Sequence, residues 1–237
     1  MLKHIITLVA GISLIFGQSS LDILSTPTDT RDAALGLSLN PTVKPTRILT
    51  HPERTVTLSV WNWVADIQGA YMGISLPNAH ISLQALNSGD LELRGDSPSE
   101  APLSTFQYNL FNTGGAYARQ VGPLIVGAGA EFIYERTLNA SATGLSMNLA
   151  AAYELTETLL LSAGIRHAGI TSDLDQENTE LPAEVWFELD AYFNDLSLLT
   201  EVNNGDIPLA LGLSYNLLDK FELIGGLQVL SAEPDTK

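Results

Sequence analysis

Apolar and polar positions alternate along most of this chain. In TVTLSVW, Val56, Leu58 and Val60 alternate with Thr55, Thr57 and Ser59. HISLQAL, DLELR, LIVGAGAEFIYE, GLSMNLAAAYE, LLLSAGIR, EVWFELDAYF, LALGLSYN and KFELIGGLQVL repeat the form up to Leu230. Period two is the strand signal, because successive side chains point to opposite faces of a sheet. Many of these segments run to about ten residues, the length that crosses a bilayer as a tilted strand. Turn residues divide them: Pro77-Asn78, Ser88-Gly89-Asp90, Gly122-Pro123, Asn203-Asn204-Gly205-Asp206 and Leu218-Asp219-Lys220. The polar joins 95–104 and 171–182 predict longer loops.

The two ends of the pattern differ from its middle. Lys3 and His4 precede an apolar run, Ile5 to Phe16, and then GQSS. Charge, short apolar run and small residues in that order predict an export signal over 1–19; the run is too short to span a bilayer as a helix. A buried terminal helix or strand is the plainer alternative. Residues 20–54 carry Pro27, Pro41, Pro45 and Pro52 and predict an irregular segment, with one short helix or strand around 32–38. Residues 55–237 form the alternating region.

Composition sharpens this. Apolar residues make up 45% and charged residues only 16%, too few to clothe the outside of a soluble sandwich or lipocalin-like barrel. One face of the alternating segments is apolar throughout, and the other mixes glycine, alanine, serine and acids. A lipid-facing band around a polar interior accounts for both faces, so the predicted fold is an all-β, antiparallel transmembrane barrel. With 27 acids against 11 bases and a net charge of −16, nucleic acid is not a predicted partner. The absence of cysteine excludes disulfides and thiolate metal or redox sites.

Candidate chemistry is sparse. Glu131, Glu135, Glu154, Arg166, Glu184, Glu188, Asp190 and Glu201 share the non-lipid side. They read as ion pairs and solvated lumen charges rather than as a filter against anions. Trp61, Trp63, Tyr71, Tyr134, Tyr153, Trp186 and Tyr192 fit an interfacial girdle or ordinary strand composition, and both readings stand. Asp173, Asp175, Glu177 and Glu180 make an acidic loop without the central glycine of a calcium loop. His4, His51, His80 and His167 are scattered, with no HExxH zinc pair. Gly127-Ala128-Gly129 and Gly225-Gly226 lack the third glycine and helix of a nucleotide loop and read as close packing. Asn139-Ala140-Ser141 matches a glycosylation sequon without further support. No cofactor, metal or catalytic residue is predicted.

An ordered series of segments resembles the PorV/PorQ family, whose barrels are similar to the FadL long-chain fatty acid transporters. Arg31-Asp32-Ala33-Ala34-Leu35-Gly36 followed by Asn40-Pro41 is similar to its N-terminal segment. Trp63-Val64-Ala65-Asp66-Ile67, Tyr71 to Pro77, Asn87-Ser88-Gly89-Asp90-Leu91-Glu92, Gly144 to Leu149 and Leu181-Pro182-Ala183-Glu184 follow in family order. Two positions depart from it: Gly36-Leu37-Ser38 stands for a Gly-Gly-Ala, and His167-Ala168-Gly169 for an Asn-x-Gly. The resemblance implies a FadL-like barrel of about 12–14 strands, residues 20–54 as a plug, and the cell outer membrane of a Gram-negative type as its location. About eleven or twelve strands are legible where the family implies fourteen, so the chain reads as C-terminally short or atypical. The implied role is non-enzymatic: an accessory of type IX-like secretion that binds secreted cargo or secretion components, or alternatively a channel for hydrophobic small molecules.

Overall fold

The computed structural model describes residues 28–50, 54–62, 67–93, 102–138, 140–174, 180–205, 207–217 and 221–229, with Leu24 and the backbone of Ile6–Val9. Most of the predicted export signal, and Trp63, Asp66, Asp175 and Glu177, lie outside them.

The chain is all-β. The strands are β1 (Ile6–Val9), β2 (Val56–Asn62), β3 (Gln68–Ser75), β4 (Ala79–Asn87), β5 (Leu91–Leu93), β6 (Ser104–Phe106), β7 (Tyr108–Val121), β8 (Leu124–Thr137), β9 (Ala140–Thr156), β10 (Leu159–Thr171), β11 (Glu184–Phe193), β12 (Leu196–Asn203), β13 (Leu209–Asn216) and β14 (Phe221–Val229). Two short helices, α1 (Thr30–Leu35) and α2 (Arg47–Thr50), lie in the N-terminal segment. Eleven strands form one antiparallel sheet in the order β14-β13-β12-β11-β10-β9-β8-β7-β4-β3-β2, each next to its neighbour in the chain apart from the β5–β6 insertion.

Two expectations need correction, and one segment inside the predicted export signal takes part in the sheet. The sheet is not closed, since β2 and β14 have no pairing with each other. DLELR supplies only the three-residue β5, paired with β6 in a separate hairpin between β4 and β7. Ile6–Val9, inside the predicted export signal, form β1 and pair in parallel with Phe221–Ile224. A short apolar run containing β-branched residues has strand propensity, and the outer edge of β14 offers it unpaired backbone groups.

The open sheet is strongly curled. Gly36 accepts a hydrogen bond from Gln228 of β14 (2.8 Å), and four residues later Asn40 accepts one from the hydroxyl of Tyr71 on β3 (3.4 Å). Four residues span at most about 14 Å. β14 and β3 lie nine places apart in the sheet order, about 43 Å in a flat sheet at about 4.8 Å per strand. One short segment touches both, so the sheet bends round it.

The curl separates two faces. The inner face holds the buried residues, and the outer face is exposed and apolar. Exposure alternates residue by residue along β9, where Leu145, Met147 and Leu149 lie open while Ser146 and Asn148 are buried. Leu58 of β2 and Leu227 of β14 are both 72% exposed. The core is the interior between the inner face and residues 28–50. Leu35 and Leu37 pack with Leu199, Ala210 and Ile224; Ile48 packs with Ala116 and Ala118; Leu49 reaches Ile125 and Leu160. The sequence-predicted aromatic girdle divides accordingly. Tyr153 is outward and exposed, whereas Tyr71 and Trp186 are buried on the inner face.

Candidate functional site: the buried charges of the interior

Residues 28–50 cross the enclosed face in a compact, locally capped path. Asp29 caps α1 by accepting from the backbone N–H groups of Arg31 and Asp32. Gly36 ends the helix at φ 69°, a conformation that favours glycine, and its N–H returns to the Asp32 carbonyl. Asn40 turns the chain by accepting from Thr42 N–H (3.0 Å) and from Tyr71. Pro41 follows, half-buried.

The segment then meets the sheet along two flanks. Toward β4, β8 and β9 the contacts are neutral. Thr42 Oγ1 and Ser82 Oγ lie 2.7 Å apart, and Asn148 Nδ2 donates to the Thr42 carbonyl (3.0 Å). A Cβ placed on Gly129 would stand 2.3 Å from that carbonyl oxygen, so only glycine allows the approach. Asn148 also donates to Glu131 (2.8 Å), as do Asn112 and Ser146.

Toward β11 and β12 the contacts are ionic. Glu188 and Glu201 are directly opposed cross-strand partners on the inner face, an arrangement that repels unless a cation separates the carboxylates. Lys44, fully buried, bonds to both. Its ammonium also lies 5.2 Å from the ring centre of the buried Trp186. Arg47 bonds to Glu188 and to Asp190, the latter at 3.0 Å. Burial opposes the charge on Arg47, but Glu188 and Asp190 prevail and hold its pKa above the ordinary value. Arg166 bonds to Glu184, its cross-strand partner, and to Glu201 (2.9 Å). At the rim, Arg31 pairs with Glu222 of β14. Asp32 shows the opposite perturbation. Burial, reinforced by Asp29, pushes its carboxyl up from the ordinary carboxylate range to about 8.

A β-bulge supplies one further inner-face group. The β9–β10 register shifts between Ile165 and Ala168, and His167 sits at φ 55°. The bulge turns Arg166 and His167, consecutive residues, into the interior together. His167 N–H donates to Asn148 Oδ1 (2.7 Å), and its Nδ1 is 3.4 Å from Glu131. Its Nε2 has no hydrogen-bond partner among the described residues. His167 also lines a cavity of about 30 Å³ on the seam, with Leu37, Val43, Arg166, Glu201 and Asn203 among its walls.

The sequence-selected residues fall into two groups. Glu131, Glu135, Arg166, Glu188 and Asp190 are all buried on the inner face, as are Glu184 and Glu201, whereas Glu154 is exposed at the end of β9. Among the motif residues, Arg31, Gly36, Asn40 and Pro41 belong to the interior segment. Gly89 and Asp90 lie in the turn after β4, where Gly89 N–H bonds to Asn87 and Asp90 accepts from Gln107. Pro182 is half-buried ahead of β11. Lys44, Arg47 and His167 were not singled out for this role. Lys44 and Arg47 sit in a Pro- and Thr-bearing stretch whose periodicity gives no face. His167 depends on a bulge that strict alternation does not contain.

Among the described residues no cluster of three or more metal-ligating side chains is present, and no helix is long and apolar enough to cross a membrane. No family model matches the chain, and neither a curated protein nor a solved structure matches it.

Proposed function

We propose that this chain is an outer-membrane β-barrel protein whose residues 28–50 plug its interior, and that it works by docking and passage rather than by making or breaking bonds. The observation that carries this reading is the division of faces: exposed Leu, Ile, Val and Phe on the outside, and buried Glu, Asp, Arg and Asn inside. A soluble protein seldom exposes a contiguous apolar patch beyond a few hundred Å². Lipid makes such a face favourable, and it also requires that strand edges find partners. The curl round residues 36–40, which reach both β14 and β3, suits a closed embedded form. β7 to β10 have 13–17 residues each, enough to cross a bilayer and project beyond it.

The resemblance to PorV/PorQ gives the role: an accessory that receives secreted proteins at the cell surface, holding cargo or secretion components through its loops. A channel for hydrophobic small molecules is the alternative. It has less support, because buried carboxylates and amides interrupt the small apolar clusters of the inner face, where a fatty chain needs a continuous apolar groove.

Flotation of the full chain with phospholipid vesicles after an alkaline wash tests the membrane reading. Co-flotation with heat-modifiable mobility is expected; recovery in the wash overturns it. Deletion of the gene in its own cell tests the role, with periplasmic accumulation of surface proteins as the expected result.

A further inference from the structure

Resting on the barrel-and-plug reading, we propose that the seam between residues 28–50 and strands β10 to β12 is a cation-selective passage, held shut by Lys44 and Arg47.

The charges on the seam carry the argument. On the sheet side Glu184, Glu188, Asp190 and Glu201 face one fixed cation, Arg166. Four carboxylates against one guanidinium leave three negative charges. Lys44 and Arg47 reduce that to one, and both belong to the segment that would move. All three bases of residues 28–50, Arg31 included, end on sheet carboxylates. The segment therefore acts as a tethered counter-ion. When it withdraws, Glu188 and Glu201 face each other unneutralised, and the wall attracts cations and repels anions.

Two independent features place the passage on this flank. The cavity of about 30 Å³ lies on the seam, with Arg166 and Glu201 in its wall. That volume exceeds the roughly 10–15 Å³ needed to hold one water. His167, 1% exposed, lines it with an Nε2 that has no partner among the described residues, leaving a polar atom for water or a cation's hydration shell. On the opposite flank the backbone of Gly129 packs closely against the Thr42 carbonyl. The class of solute is thus a small hydrated cation or an ammonium- or guanidinium-bearing molecule.

The experiment uses the full chain in planar bilayers under a potassium chloride gradient. Vesicle flotation of each variant is scored first. A wild-type protein that does not float overturns the membrane reading and this inference with it. Lys44→Gln/Arg47→Gln is expected to raise conductance at least tenfold, with a reversal potential favouring potassium over chloride. Added arginine is expected to reduce that current. Because the chain has no cysteine, Thr42→Cys/Ser82→Cys gives a clean second variant. Its oxidised form is expected to stay closed even when combined with the double glutamine change, and a reductant is expected to reopen it. If the protein floats but the open state prefers chloride, or the cross-link leaves the current unchanged, the inference is overturned while the membrane reading survives.

Discussion

The two flanks of residues 28–50 are held by different chemistry. Against β4, β8 and β9 the segment uses hydroxyls, an amide and backbone contact, all neutral. Against β11 and β12 it uses buried ion pairs. The neutral flank fixes position: its contacts are short-ranged, and a shift of an ångström breaks them. The ionic flank is conditional. A buried carboxylate pair with its cation in place is tolerated, and the same pair without it is costly. The neutral contacts thus seat the segment and the ionic contacts latch it, and withdrawal breaks both.

Breaking the latch should have the largest effect. Lys44→Met leaves Glu188 and Glu201 opposed without a cation, a loss of about 3–5 kcal/mol, read by urea unfolding in lipid. Adding Glu201→Gln to that variant should recover part of the loss; no recovery would show that Lys44 acts by packing alone. Crowding the neutral flank comes next. Gly129→Ala sets a methyl group against the Thr42 carbonyl and should cost about 1–3 kcal/mol in the same assay.

A smaller effect is expected from pH. The folded Asp32 carboxyl titrates at about 8, above its value in an unfolded chain. Its contribution is fully present below about pH 4 and is lost as pH rises through 8. Proteolysis of the segment should therefore speed up across that window, and Asp32→Asn should flatten the profile. The smallest effect belongs to the rim, where Arg31 is 44% exposed. Arg31→Ala should cost less than about 1 kcal/mol and lose even that in high salt.

The sheet was legible where one strand face is apolar and the other carries charge, as in β8, β9 and β11. It was less legible in β7, where Asn112, Gly114 and Ala116 face Thr113 and Gly115 across the strand and the contrast fades. β3 and β12, QGAYMGIS and LSLLTEVN, escaped for the same reason. Short period-two runs do not reveal which strands pair, so DLELR read like a sheet strand and became a hairpin arm. The inner acids could be read from alternation, but their partners could not. Lys44 and Arg47 lie 140 or more residues away from Glu188 in sequence, and no local pattern joins them.

The division of faces underlies the whole account, and neighbouring residues on β9 test it directly. Asn148 is fully buried and Leu149 is 51% exposed. In this cysteine-free chain, Asn148→Cys and Leu149→Cys can each carry a fluorophore in vesicles containing a spin-labelled lipid. Strong quenching at 149 and little at 148, with the same alternation at Met147 and Ser146, is the predicted result. Equal quenching at neighbouring positions, or none at either, would contradict a lipid-facing sheet.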